Sequence, residues 1–90
     1  MKAAYVIVDD SGKSAGGGSG ISSTSKESTG VYMINYETDF SNPPGISATP
    51  WGSGTMCSVN IMAENMCEVC VTDLQGNAID SGFAFLAVGD

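Results

Sequence analysis

The chain predicts a small all-β antiparallel sandwich. Three observations carry that prediction. Apolar residues recur at every second position in several short runs, for example Cys67, Val69 and Val71. Turn-forming clusters of Gly, Pro, Asn, Asp and Ser separate these runs at intervals of about 8–12 residues. No stretch carries a helical period. Ninety residues make one domain, residues 1–90, with a Gly/Ser-rich loop expected at 14–20. A chain of this length buries only about 60–65% of its unfolded surface, so its core must be thin.

Residues 3–9 are rich in Val, Ile and Tyr and read as the first strand. Asp9 to Lys13 is a turn. Ser14 to Gly20 is low in complexity and reads as a wide loop or an irregular edge strand. Ile21 to Glu27 is a polar strand whose Lys26 and Glu27 would blunt an exposed edge.

Val31 to Tyr36 is the strongest strand, with Val31, Met33 and Asn35 on one face and Tyr32, Ile34 and Tyr36 on the other. Both faces are largely apolar, which predicts a central strand covered on both sides: by a second sheet on one and by another subunit on the other. Val31, Met33, Tyr32, Ile34 and Tyr36 are therefore the candidate oligomer-interface residues.

Ser41 to Gly45 is a Pro/Gly turn, and Ile46 to Thr49 a short strand closed by Pro50. Trp51 to Gly54 is a loop holding the only tryptophan. Thr55 to Ile61 alternates, with Cys57, Val59 and Ile61 on one face. Met66 to Thr72 alternates again. Leu74 to Ala78 reads as a hairpin, and Phe83 to Val88 as an apolar terminal strand. The count is seven to eight short strands.

The net charge is −7, with three lysines, no arginine and no histidine. This argues against nucleic acid as a partner, because binding it needs a basic footprint. The same balance disfavours anionic membrane surfaces, and no apolar run of about 18 residues exists. Without histidine, the Ser–His and Cys–His nucleophile pairs are absent. The N-terminal apolar run ends in Asp9 and Asp10, so it reads as a strand and not as a signal peptide. Charged residues are only 14% of the chain, which leaves a surface of small polar residues or one covered by other subunits.

Gly12-Lys13-Ser14 lacks the glycine that a phosphate loop needs five residues earlier, where Ile7 stands, and no helix follows. Cys67 and Cys70 have redox spacing but fall within one strand, with Cα atoms roughly 10 Å apart and side chains on opposite faces. With Cys57 they read as reduced, buried thiols of a protein made in the cytoplasm. Asp9, Asp10, Asp73 and Asp80 read as solvated turn acids, with a calcium-type site or a catalytic carboxylate pair as alternatives. Trp51 either caps the sandwich or offers an aromatic platform for a ligand, and Asn42 and Asn77 complete the candidate ligand set. No catalytic residue, metal site or cofactor is expected.

Three segments carry a resemblance: Gly30 to Tyr36 with Phe40 following, Pro44-Gly45-Ile46-Ser47-Ala48-Thr49-Pro50, and Phe83-Ala84-Phe85-Leu86-Ala87-Val88 preceded by Asp73 to Asn77. This layout resembles the small β-sandwich modules of bacteriophage tail-fibre tips, themselves like shortened trimeric jelly rolls of the complement and tumour-necrosis-factor type. The resemblance implies a jelly-roll-type sandwich that forms a homotrimer and presents its loops outward. The expected function is a non-enzymatic, self-assembling structural protein of a virion or extracellular fibre surface, of head-decoration (cement) or fibre-tip type. Its expected partners are itself and a capsid or fibre protein. The alternatives are an adhesion module binding a cell-surface glycan or receptor, and a subunit of a helical extracellular filament.

Overall fold

Period-two alternation decides the architecture. The computed structural model describes all of residues 1–90 and contains strands but no helix. The strands are β1 (Lys2–Val8), β2 (Ser14–Ser19), β3 (Ile21–Ser28), β4 (Val31–Tyr36), β5 (Gly45–Pro50), β6 (Thr55–Met62), β7 (Met66–Asp73) and β8 (Phe83–Gly89). They form two four-stranded sheets, ordered β2-β1-β8-β5 and β3-β4-β7-β6. Every pairing is antiparallel. β1 and β8 pair along their whole length, from Lys2 opposite Gly89 to Val8 opposite Phe83. The chain crosses between sheets after β2, β4, β5 and β7, which wraps it in the manner of a jelly roll.

The core is a slab between the central strands of the two sheets. Each of those four strands gives three alternate residues: Ala4, Val6 and Val8 from β1; Tyr32, Ile34 and Tyr36 from β4; Cys67, Val69 and Val71 from β7; and Phe83, Phe85 and Ala87 from β8. Phe40 closes one end. No charged or polar residue is buried among them. Aromatic contacts link the sheets: Tyr32 meets Phe83 edge-to-face at 5.2 Å, and Tyr36 stacks on Phe85 at 6.1 Å. The Tyr32 hydroxyl donates to the Asp10 carbonyl at 2.8 Å, so its polar tip is satisfied. The Tyr36 hydroxyl is buried beside the Cys67 thiol and has no partner of ordinary hydrogen-bonding strength.

Four expectations change. The Gly/Ser run at 14–20 is not a loop: Ser14–Ser19 is edge strand β2, as the edge-strand alternative allowed. Its register jumps between Val6 opposite Gly18 and Val8 opposite Ser14, so two steps of β1 span four of β2. Gly16 and Gly17, at φ of 103° and 65°, absorb the surplus in a conformation that other residues resist. In β6 a bulge follows Val59. Cys57 and Val59 pack against the core, but the extra residue switches Ile61 to the outer face, opposite Glu68. The predicted hairpin at 74–78 is a turn closed by a single bridge, Thr72 to Ala78, after which the chain leaves for the other sheet. Finally, the second sheet covers one face of the central strand β4, as expected, and this leaves only the outer face open to another subunit. Tyr32, Ile34 and Tyr36 fill the core, so they are not available to another subunit, and Val31 and Met33 lie half-buried outside.

Gly30 is one of the tight points of the fold. It sits at φ 70°, and a Cβ there would lie 2.6 Å from the Val71 carbonyl oxygen and 2.9 Å from that of Ile79. Its carbonyl accepts from Val71 N–H at 2.7 Å, and its N–H donates to Asp80 Oδ1 at 2.9 Å. Gly30→Ala therefore meets both a left-handed backbone and two fixed carbonyls. The expected loss is more than about 2 kcal/mol in urea unfolding. An unchanged urea midpoint would show that this turn is not constrained as described.

Candidate functional site

Concave surface is scarce and shallow. The widest hollow, about 600 Å³, follows the seam between β2 and β3. Its walls are glycine, serine and threonine with Val6, Ile21 and Glu37. Glu37 is the one titratable side chain there, so no acid–base pair lines it.

The second hollow of chemical interest lies at one end of the sandwich and is about 360 Å³ in volume. Three segments build it. The β1–β2 turn supplies Asp9 and Asp10, the end of β5 leads into Trp51, and the link before β8 supplies Asp80, Ser81 and Gly82. The β5–β8 register brings the last two together, because Pro50 stands opposite Phe83. Trp51 N–H then donates to the Gly82 carbonyl at 3.0 Å. Its own carbonyl accepts from Thr55 Oγ1 at 3.0 Å and Ser81 Oγ at 3.3 Å. The indole rests on Gly82, where a Cβ would come within 2.8 Å of ring atom Cε3. Trp51 as a whole remains 48% exposed. It is thus both a cap on the sandwich end and an aromatic surface facing solvent.

The carboxylates around it are structural in their hydrogen bonding. Asp9 Oδ1 accepts from Ser11 Oγ at 2.7 Å and from the N–H groups of Ser11 and Lys13, each at 2.9 Å. Those bonds, the Ser11 hydroxyl first, hold its pKa below the usual aspartate value. Asp80 Oδ2 pairs with Lys26 Nζ at 2.5 Å, while Oδ1 takes the Gly30 N–H. The Lys26 contact, followed by the Gly30 bond, lowers the Asp80 pKa. Asp73 is outside this hollow. It closes its own turn by accepting from the N–H groups of Gln75 and Asn77, and its pKa is lowered chiefly by the Asn77 N–H. No three acids or thiols converge closely enough to enclose a metal ion.

The thiols are free. Cys67 is buried in the core, and Cys70 lies half-buried on the outer face of the same strand. Burial pushes Cys57 and Cys67 up to about 11. Cys70 is raised by burial and by Glu68, toward which its thiol points at 3.7 Å. None has the depressed pKa of a nucleophilic thiol.

The candidate ligand residues do not meet in one place. Trp51 and Asn77 belong to the same end of the sandwich, but Asn77 is tied to Asp73 and does not line the Trp51 hollow. Asn42 lies at the opposite end, beside the turn where Ser41 N–H bonds the Asp90 carbonyl. Sequence reasoning singled out Trp51 and the acids separately and missed their juxtaposition, along with Ser81. Only the β1–β8 and β5–β8 pairings bring them together, and no local spacing records those.

Three aspartates with lowered pKa values set the acid limit of stability. A carboxylate depressed in the folded state contributes stability above its unfolded pKa, near 3.8, which is lost as pH falls through the folded value. The thermal midpoint should stay level down to about pH 5 and fall below about pH 4. Asp80→Asn removes the ion pair, so its acid limb should be shallower than that of the wild type. A midpoint that rises on acidification, or identical limbs in both proteins, would contradict this assignment.

No known protein family, characterised protein or solved structure matches this chain.

Proposed function

We propose that the chain is a non-enzymatic structural module that assembles with copies of itself, as a subunit of a virion or extracellular fibre surface. The observation that carries the reading is the apolar side chains left outside the core. Tyr5 and Leu86 stand on the outer face of one sheet, and Met56, Ile61 and Met62 on β6 of the other, each 44–52% exposed. Only 17 of 90 residues are buried, so the single chain leaves much of its apolar surface in water. A face-to-face contact with further copies would remove it. The resemblance to trimeric fibre-tip and decoration modules suggests three copies and a virion setting, with a capsid or fibre protein as the partner that anchors them.

A second reading rests on Trp51. A half-exposed indole beside carboxylates that accept hydrogen bonds suits a sugar ring, whose apolar face stacks while its hydroxyls donate. In that reading the module is an adhesion domain for a surface glycan.

Light scattering over a concentration series tests the first reading, which expects a mass near three times the 9.2 kDa chain. A mass of one chain at every concentration would overturn it. A glycan array with calorimetry tests the second. It expects saturable binding to wild type and at least about tenfold weaker binding to Trp51→Ala, with an unchanged assembly mass. No glycan bound by wild type would exclude it.

A further inference from the structure

Self-association leaves open which face meets the next copy, and the sequence pointed to β4. We infer that the contact is instead made by the outer face of the β2-β1-β8-β5 sheet, which packs against the same sheet of each neighbouring copy. This rests on the self-assembly reading above and specifies its surface.

Charge decides between the two faces. The outward residues of β1, β8 and β5 are Ala3, Tyr5 and Ile7; Ala84, Leu86 and Val88; and Gly45, Ser47 and Thr49. No lysine, aspartate or glutamate is among them. Neighbouring β2 adds only Ser, Ala and Gly. In a chain of net charge −7, a face without carboxylates is one that can meet its own copy without setting like charges together. The opposite sheet has no such face. Outside β4 and β7, Glu68 stands opposite Met33 and Ile61. Its carboxylate accepts from Asn60 Nδ2 at 3.3 Å, and Asn60 also reaches Cys70 Sγ at 3.1 Å. Burying that network against another copy would desolvate two carboxylates with no cation to offset them.

Shape points the same way. Tyr5 and Leu86 are cross-strand partners, 49% and 44% exposed, and project together. Next to them, Ala84 is flanked in register by Ile7 and Thr49, and this small side chain floors a hollow of about 340 Å³. Projection and hollow lie on one uncharged face, so each copy can seat its projection in its neighbour's hollow and the ring can close. The sheet edges offer no rival mode. β2 is distorted by its positive-φ glycines, β3 carries Lys26 and Glu27, β5 ends in Pro50 and β6 is bulged.

Sedimentation equilibrium on wild type, Leu86→Glu, Thr49→Glu and Met33→Glu tests the assignment, with circular dichroism confirming the fold of each. Thr49 is already polar and exposed, so its variant guards against a folding defect at Leu86. The expected result is an associating wild type, dissociation constants raised about 100-fold or more in Leu86→Glu and Thr49→Glu, and little change in Met33→Glu. An equimolar mixture of Leu86→Glu and Leu86→Lys should regain association, because the contact is between like faces. Association that survives in both Leu86→Glu and Thr49→Glu overturns the face assignment while leaving self-assembly standing. Loss in Met33→Glu as well overturns its exclusivity. A monomeric wild type overturns the self-assembly reading itself, and the assignment with it.

Discussion

The rest of this structure depends on one contact, the packing of β1 and β8 against β4 and β7. Twelve alternate side chains from these four strands, with Phe40, are the whole buried apolar cluster. At about 25 cal/mol for each Å² of apolar surface removed from water, that slab is the main favourable term available to a chain with no disulfide. Its thinness explains the choice of residues. Phe83, Phe85, Tyr32 and Tyr36 bridge the gap between sheets with few side chains. The edge strands add hydrogen bonds and cover. β2 and β3 contribute no residue to that buried cluster.

A polar clasp complements the slab. Asp80 holds Gly30 through one oxygen and Lys26 through the other, which joins the β3–β4 turn to the link before β8. Tyr32 extends the same system by bonding the Asp10 carbonyl in the β1–β2 turn. Two turns and one crossing between the sheets are thus fixed at one end of the sandwich, the end that also carries Trp51. The rigidity of that end follows from hydrogen bonds the fold needs in any case, and the acids there are occupied by structural work before any ligand is considered. This is why a set of aspartates that looks suggestive along the chain does not become a metal cage in space.

Much of the architecture was legible because it is local. β1, β4, β7 and β8 were each expected as strands from their residues, and on β7 alternation also selects the inward side chains Cys67, Val69 and Val71. What was not legible depends on register. A bulge at Asn60 reverses the facing of Ile61, and nothing about Asn60 as a residue type announces it. The Gly/Ser run becomes β2 only because β1 offers it an unpaired edge. On β4, the two-sided apolar pattern was read as two covered faces. The second sheet covers one as expected, but which side chains surround Val31 and Met33 on the other was not readable: Glu68 stands opposite Met33, 35 positions beyond it. The Trp51 hollow was equally out of reach, since its walls come from residues 9–10, 51 and 80–82.

The full-length pairing of β1 with β8 also has a consequence in time. β8 occupies residues 83–89 and is the only strand that joins β1 to β5. Until it has emerged, β1 has only the hairpin with glycine-rich β2 to hold it, and Val6, Val8 and Ile7 stay in water. Closing a loop of some eighty residues must precede the reward of the contacts it makes, and such topologies fold slowly for their size. During synthesis the first half of the chain therefore waits, with an apolar strand unpaired, for the last to arrive.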